Sequence, residues 1–195
     1  MSSIITSINT AAFEFTKSIA SPGLNSVMSF LGNDIVVVII LLIIALYLFY
    51  KKDKNVFAFL FAAVLIYVLT DIIKLIIREP RPCTVSDLSW INTVGCDSST
   101  FSFPSNHSTI LTGLSVFVGS YKYLRIIYIV WLILILFGRV YLGAHYFTDV
   151  IAGFIIGLLI GLLVYKFKAK INDFFSKIAK KIIPQLFNIS WKNEY

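Results

Sequence analysis

A chain of 195 residues, 58% of them hydrophobic and with a mean hydropathy of +0.86, is more apolar than an ordinary soluble domain, which is about half apolar. The length suits one bundle. The net charge of +7 would suggest nucleic acid only if membrane topology did not already account for the cations.

The start, Met1-Ser2-Ser3-Ile4-Ile5, has no basic stretch followed by a clean apolar run, so no cleavable signal peptide is expected. Ile4, Ile5, Ile8, Ala11, Ala12, Phe15 and Ile19 recur at helical spacing, with Glu14 and Lys17 among them. This stripe lies in the membrane interface or crosses as a short span, and Ser21-Pro22-Gly23 ends it. Residues 1–31 are therefore read as N-terminal membrane or interfacial helices. Apolar runs follow at 35–50, 56–77, 107–120, 123–137 and 150–165. Each approaches the roughly 20 residues a crossing needs, fewer where neighbouring protein holds the ends. The last run carries Gly153, Gly157 and Gly161 at a four-residue repeat, which lines one helix face with small residues for close packing. From Lys166 the chain alternates lysine with Ile and Phe, so 166–195 reads as a basic amphipathic cytoplasmic tail, or else as a solvated one. The expected fold is all-α: one membrane-embedded domain over 1–195, a polytopic transmembrane bundle with five clear crossings and about six membrane helices.

Orientation follows the lysines and arginines of short loops. Lys51, Lys52 and Lys54 share a side with Lys122, Arg125, Lys166, Lys168 and Lys170 when crossings are counted, and that side is assigned to the cytoplasm. Topology then explains most of the charge, and no nucleic-acid partner is expected. Cys83 and Cys96 fall in the long loop on the opposite side, a compartment that permits disulfides. A bridge between them would close that loop over the membrane surface; the alternative is two thiols.

Three polar clusters remain on the outer side, and ionisable groups at membrane depth are costly enough to be functional by default. The first holds Lys74, Arg78 and Arg81, with Pro80 and Pro82 stopping the helix. Like charges this close call for an anion among them, although Arg78 alone could snorkel to headgroups, with Asp71 and Glu79 as partners. The second is Pro104-Ser105-Asn106-His107, at the start of a span, where Ser105 can cap and free amides bind phosphate. The third runs from Gly138-Arg139 to His145 and Asp149, the last two four apart, so that on a helix the carboxylate stacks on the imidazole and sets its tautomer. Each cluster alone could be structural. Together, both histidines of the chain and the cations Lys74, Arg81 and Arg139 supply what phosphoryl transfer requires: a cationic cradle, a helix N-terminus and an oriented imidazole. Which histidine is the nucleophile stays open on these grounds. No metal and no cofactor are expected, because cations stand where metal ligands would be needed.

At these clusters the sequence resembles the type 2 phosphatidic acid phosphatase superfamily, whose pattern is Lys-x6-Arg-Pro, Pro-Ser-Gly-His and Ser-Arg-x5-His-x3-Asp. Lys74 with Arg81-Pro82, Pro104-Ser105-Asn106-His107, and Arg139, His145 and Asp149 match it, with Asn106 in place of Gly and Gly138 in place of Ser. The resemblance covers about residues 74 to 149. It implies that His145 attacks phosphorus, that Asp149 orients it, and that His107 protonates the leaving oxygen and then activates water. It implies also that Lys74, Arg81, Ser105, the Asn106 amide and Arg139 hold the phosphate oxygens; Arg78, outside the pattern, is a candidate accessory from its place in the first cluster. The implied substrate is a lipid phosphate in the membrane, foremost a polyprenyl diphosphate of undecaprenyl or dolichyl type, processed on the extracytoplasmic face. Alternatives are phosphatidate or phosphatidylglycerophosphate hydrolysis, a lipid phosphotransferase and, outside the class, an anion transporter. A transporter would carry charge through the midplane, where this chain has almost none.

Overall fold

The computed structural model describes residues 3–85 and 99–182. All regular elements there are helical: α1 Ser3–Ser18, α2 Pro22–Leu31, α3 Asp34–Tyr50, α4 Asn55–Ile77, α5 Pro82–Val85, α6 Asn106–Ser115, α7 Lys122–Tyr141, α8 Phe147–Lys166 and α9 Lys168–Ile182. Local chemistry sets most of the boundaries. Ser21 accepts the Leu24 amide while Pro22 opens α2, and Asn33 accepts the amides of Ile35 and Val36 at the head of α3. Arg78 closes α4 in the left-handed region at φ 55°, and the prolines beyond it prevent the helix from resuming.

The protein is a polytopic helical membrane bundle. α4, α7 and α8 are each long and apolar enough to cross a bilayer, and α2 with α3, bent by 50° at their junction, makes a further candidate as a broken span. The hydropathy pattern had counted 35–50 and 107–120 as crossings of their own. In the structure α3 has 17 residues and α6 only 10. At a rise of about 1.5 Å per residue α6 covers roughly 15 Å, half the hydrocarbon thickness. Its run is buried inside protein, with every residue from His107 to Thr109 and from Leu111 to Leu114 covered, and with the turns that follow it carries the chain from the end that holds Lys74 to the start of α7 at the opposite end.

α6 sits between α4 and α8, and the glycine repeat explains how α8 comes so close. A Cβ at Gly157 would lie 2.1 Å from the Thr109 carbonyl oxygen, and one at Gly161 2.2 Å from that of Gly113. Only glycine allows that approach, as the repeat predicts. Ile66, Leu111, Leu114 and Phe117 fill the space inside the bundle, while Ile43, Val64, Ile127 and Leu159 face outward, where lipid chains would cover them. α1 is tied to α8 by Asn9, whose side-chain amide donates to Thr148 Oγ1 at 3.1 Å, and α2 to α7 by the Tyr141 hydroxyl donating to Asn25. In the tail, α9 packs on the start of α4, with Asn172 Oδ1 accepting the Ala58 amide at 2.9 Å; residues 183–195 lie outside the described residues.

Candidate active site

Antiparallel connection brings the C-terminal ends of α4 and α7 and the N-terminal ends of α3, α6 and α8 to one end of the bundle. A cavity of about 420 Å³ opens there, lined by Lys74, Arg81, Asn106, His107, Arg139 and His145. Six residues from three clusters spread over 72 positions of sequence thus share one space. Ser105 and Asp149, both fully buried, stand behind that wall.

Carbonyl oxygens and a hydroxyl hold the cations in place. Lys74 Nζ donates to the carbonyls of Phe101 (2.7 Å) and Ser102 (3.0 Å). Arg81 donates through Nη1 to the Ala144 carbonyl at 2.9 Å and through Nη2 and Nε to Thr100 Oγ1 at 2.8 and 3.0 Å. Arg139 Nη1 donates to the Gly32 carbonyl at 3.0 Å. Around Lys74 and Arg139 the acceptors among the described residues are neutral carbonyls, which orient the ammonium and guanidinium groups without pairing their charge and suit a site that takes an anion.

His145 does not share a helix turn with Asp149. α8 begins only at Phe147, so His145 lies in the preceding loop, and the expected stack becomes a three-residue arrangement. Ser102 Oγ donates to Asp149 Oδ2 at 2.5 Å and stands 3.4 Å from His145 Nδ1, while Nδ1 and Oδ2 are 3.7 Å apart. The Tyr146 amide donates to the same Oδ2 at 2.9 Å, because Asp149 also caps α8. On its other side His145 Nε2 lies 3.3 Å from Arg81 Nη1 and faces the cavity. Burial, then the charges of Arg139, Arg81 and Lys74 and the nearby His107, hold its pKa well below the ordinary histidine range. A neutral imidazole with one nitrogen turned to a cationic cavity can act as a nucleophile.

His107, in the first turn of α6, is buried with Nε2 3.3 Å from Asp34 Oδ1. Asn106 donates through Nδ2 to Asp71 Oδ1 at 3.1 Å. Asp71 therefore serves Asn106 rather than Arg78. Arg78 is exposed, folds back on the Leu75 carbonyl and does not line the cavity. Ser105 occupies the N-cap of α6 as expected, but its side chain makes no capping bond; Oγ is buried and has no partner among the described residues. Cys83 is disulfide-bonded; Cys96, the partner expected from sequence, lies outside the described residues.

Ser102, Thr100 and Asp34 belong to the site and carried no signal. They are single polar residues in loops or at a helix start, outside any recognisable spacing. Asp71 was visible only as an acid within a span.

The sequence model of the PAP2 superfamily matches residues 55–173. The lipid A 4'-phosphatase of Porphyromonas gingivalis is 32% identical over 133 residues, 62% of this chain and 56% of that protein. The undecaprenyl-diphosphatase BcrC of Bacillus subtilis is 25% identical over 161 residues, 80% of this chain and 81% of its own length. The chain thus spans little more than half of the first relative. Among solved structures, a transmembrane PAP2-type phosphatidylglycerolphosphate phosphatase from Bacillus subtilis superposes with a TM-score of 0.67 at 28% identity, over 87% of this chain and 88% of that one.

Proposed function

The chain belongs to the PAP2 superfamily, and from that premise we propose that it is a metal-independent hydrolase of a lipid phosphate or diphosphate, working through a phosphohistidine. The supporting observation is the convergence of two histidines and three cations on one cavity that also has an apolar stretch of wall, made by Val37, Val38, Leu41 and Ile110. A phosphate fits the cationic part, and the apolar part suits the start of a lipid chain.

In this mechanism Lys74, Arg81 and Arg139 bind the phosphoryl oxygens and stabilise the charge that gathers on them in the transition state. Asn106 contributes its backbone amide at the N-terminus of α6, and Ser105 its unpartnered hydroxyl. His145 Nε2 attacks phosphorus as the bond to the leaving oxygen breaks, and His107 gives that oxygen its proton. His107 then takes a proton from water, the new hydroxide attacks phosphorus, and the P–N bond breaks to return neutral His145. Asp149, through its own oxygen and the Ser102 hydroxyl, holds the imidazole in place.

A polyprenyl diphosphate is the substrate of choice, supported by the relative aligned over four fifths of both chains. Phosphatidylglycerophosphate is the second, supported by the structural likeness. The site faces away from the cytoplasm, since Lys51, Lys52, Lys54, Lys122 and Lys166 gather at the other end of the bundle. Purified protein in liposomes, offered polyprenyl diphosphate, phosphatidate and phosphatidylglycerophosphate in excess chelator, should release inorganic phosphate fastest from the first and be inhibited by vanadate. A strict requirement for a divalent ion, or transfer of phosphate to an acceptor with none released to water, would overturn the proposal.

A further inference from the structure

We propose that Asp34 is a positioning residue that keeps His107 protonated for the departure of the leaving group, and that the break between α2 and α3 exists in part to deliver it. The inference rests on the role given to His107 above. Asp34 lies outside the region matched by the family model, 55–173, and nothing in the motifs points to it.

A leaving-group acid must carry a proton before the reaction begins. The surroundings of His107 oppose this. It is buried, and Lys74 from α4, Arg81 from the loop after it and Arg139 from α7 share its cavity. The acids of the other elements are committed elsewhere. Asp71 of α4 accepts from Asn106, and Asp149 of α8 accepts from Ser102 and Tyr146. Asp34 of α3 remains, with Oδ1 3.3 Å from His107 Nε2. A carboxylate at that distance stabilises the imidazolium.

Two features fit Asp34 for this work. Its side chain is 89% exposed while the imidazole is buried, so the carboxylate keeps its hydration on one side and reaches the ring on the other. The pair is also close without being aligned: His107 Nε2 has no hydrogen-bond partner among the described residues. The carboxylate thus supplies charge and leaves the Nε2 proton free for an incoming oxygen.

The chain path holds this geometry. α2 ends at Leu31, the Gly32 carbonyl accepts Arg139 Nη1 and lies beside His107, Asn33 caps α3, and Asp34 is the first residue of that helix. The 50° bend falls at these residues. A Cβ on Gly32 would stand 3.1 Å from the Met28 carbonyl oxygen and 3.3 Å from Arg139 Nη1, so the elbow is packed tightly against the site. An acid in the first turn of a helix also favours that helix through its dipole. A purely structural Asp34 would do no more.

The test compares wild type, Asp34→Asn and Asp34→Glu, full-length and reconstituted, on a lipid phosphate and on p-nitrophenyl phosphate across pH. The lipid phosphate here is phosphatidate, a monoester whose alkoxide leaving group needs a proton; p-nitrophenolate departs without one. Asp34→Asn should lower kcat on the lipid about 10- to 100-fold with KM little changed, yet cost less than about threefold on the aryl ester. The basic limb of the lipid profile should move down by about one pH unit, because His107 then loses its proton sooner. Asp34→Glu should restore both. An equal loss on the two substrates, an unmoved basic limb, or a gain in activity would each overturn the proposal. His145→Ala and His107→Ala run alongside: if either keeps its turnover, the underlying mechanism fails; if both are dead and Asp34→Asn is indifferent, only the role of Asp34 does.

Discussion

At the end of the bundle away from the cavity, Asp53 is buried with both carboxylate oxygens engaged: Oδ1 accepts the Asn55 amide at 2.8 Å and Oδ2 the Tyr121 hydroxyl at 3.2 Å. Asn172 there accepts the Ala58 amide and donates to Asn55 Oδ1 at 3.3 Å. At the cavity end the same kinds of group are buried, but Ser105 Oγ, Asn106 Oδ1, Arg139 Nε and Asp149 Oδ1 have no partner among the described residues. Buried polar atoms are normally paired, and an unpaired one costs about 1–3 kcal/mol. The first cluster closes on itself and joins the α3–α4 turn, the start of α7 and α9. The second stores unmet bonding capacity around an opening. Thr112 Oγ1 and Trp131 Nε1, within α6 and α7 and away from the cavity, also lack a partner among the described residues, so the contrast is one between the two ends and their surroundings.

The contrast can be broken experimentally. The largest effect should come from His145→Ala, which removes the proposed nucleophile: turnover should fall on the order of 10⁴-fold or more. Its fold should persist in detergent, with a loss of about 1–3 kcal/mol as the contacts of the buried imidazole to Arg81 and Ser102 are removed. Wild-type-like phosphate release would end the assignment. Arg139→Gln should come next, with kcat/KM down about 10²- to 10³-fold through lost transition-state charge stabilisation; a loss confined to stability would place Arg139 with the structural cluster.

The far end should behave in the opposite way. Asp53→Ala strands the Asn55 amide and the Tyr121 hydroxyl and should destabilise by about 1–3 kcal/mol. The folded fraction should keep kcat within about twofold. A collapse of kcat at unchanged melting temperature would erase the distinction between the ends.

The smallest effect is a shift of pH profile. His145 is held below its ordinary pKa of about 6.5, so the neutral, reactive imidazole persists below that pH. The acid limb of kcat/KM, corrected for the substrate's own ionisation, should lie under 6.5. Arg81→Gln removes one of the charges that depress His145, so its pKa rises and the limb moves upward, by less than about one unit. An acid limb at or above 6.5 in the wild type would contradict a buried neutral His145.

Lys74, Arg81, His107, Arg139 and His145 were legible as a group because ionisable residues at the ends of apolar spans stand out from their surroundings, and all five line one cavity. The close packing of α8 on α6 was legible too, from the period of Gly153, Gly157 and Gly161. Ser102, Thr100 and Asp34 were not. Each acts through a side chain placed by a loop or a helix break, and loops carry no periodicity from which position can be inferred. The 107–120 run did not disclose its setting for a related reason: burial inside protein and burial in lipid select the same apolar residues, and only neighbours tell them apart.

From sequence alone came the helical membrane class and most of the polar side chains that line one cavity at an end of the bundle, because hydropathy and charge are properties of the chain itself. The rest needed three dimensions. That His145 precedes its helix, that a serine hydroxyl stands between it and Asp149, that Arg78 turns away and that Asp34 reaches His107 all depend on where separate segments meet. No local pattern encodes such meetings.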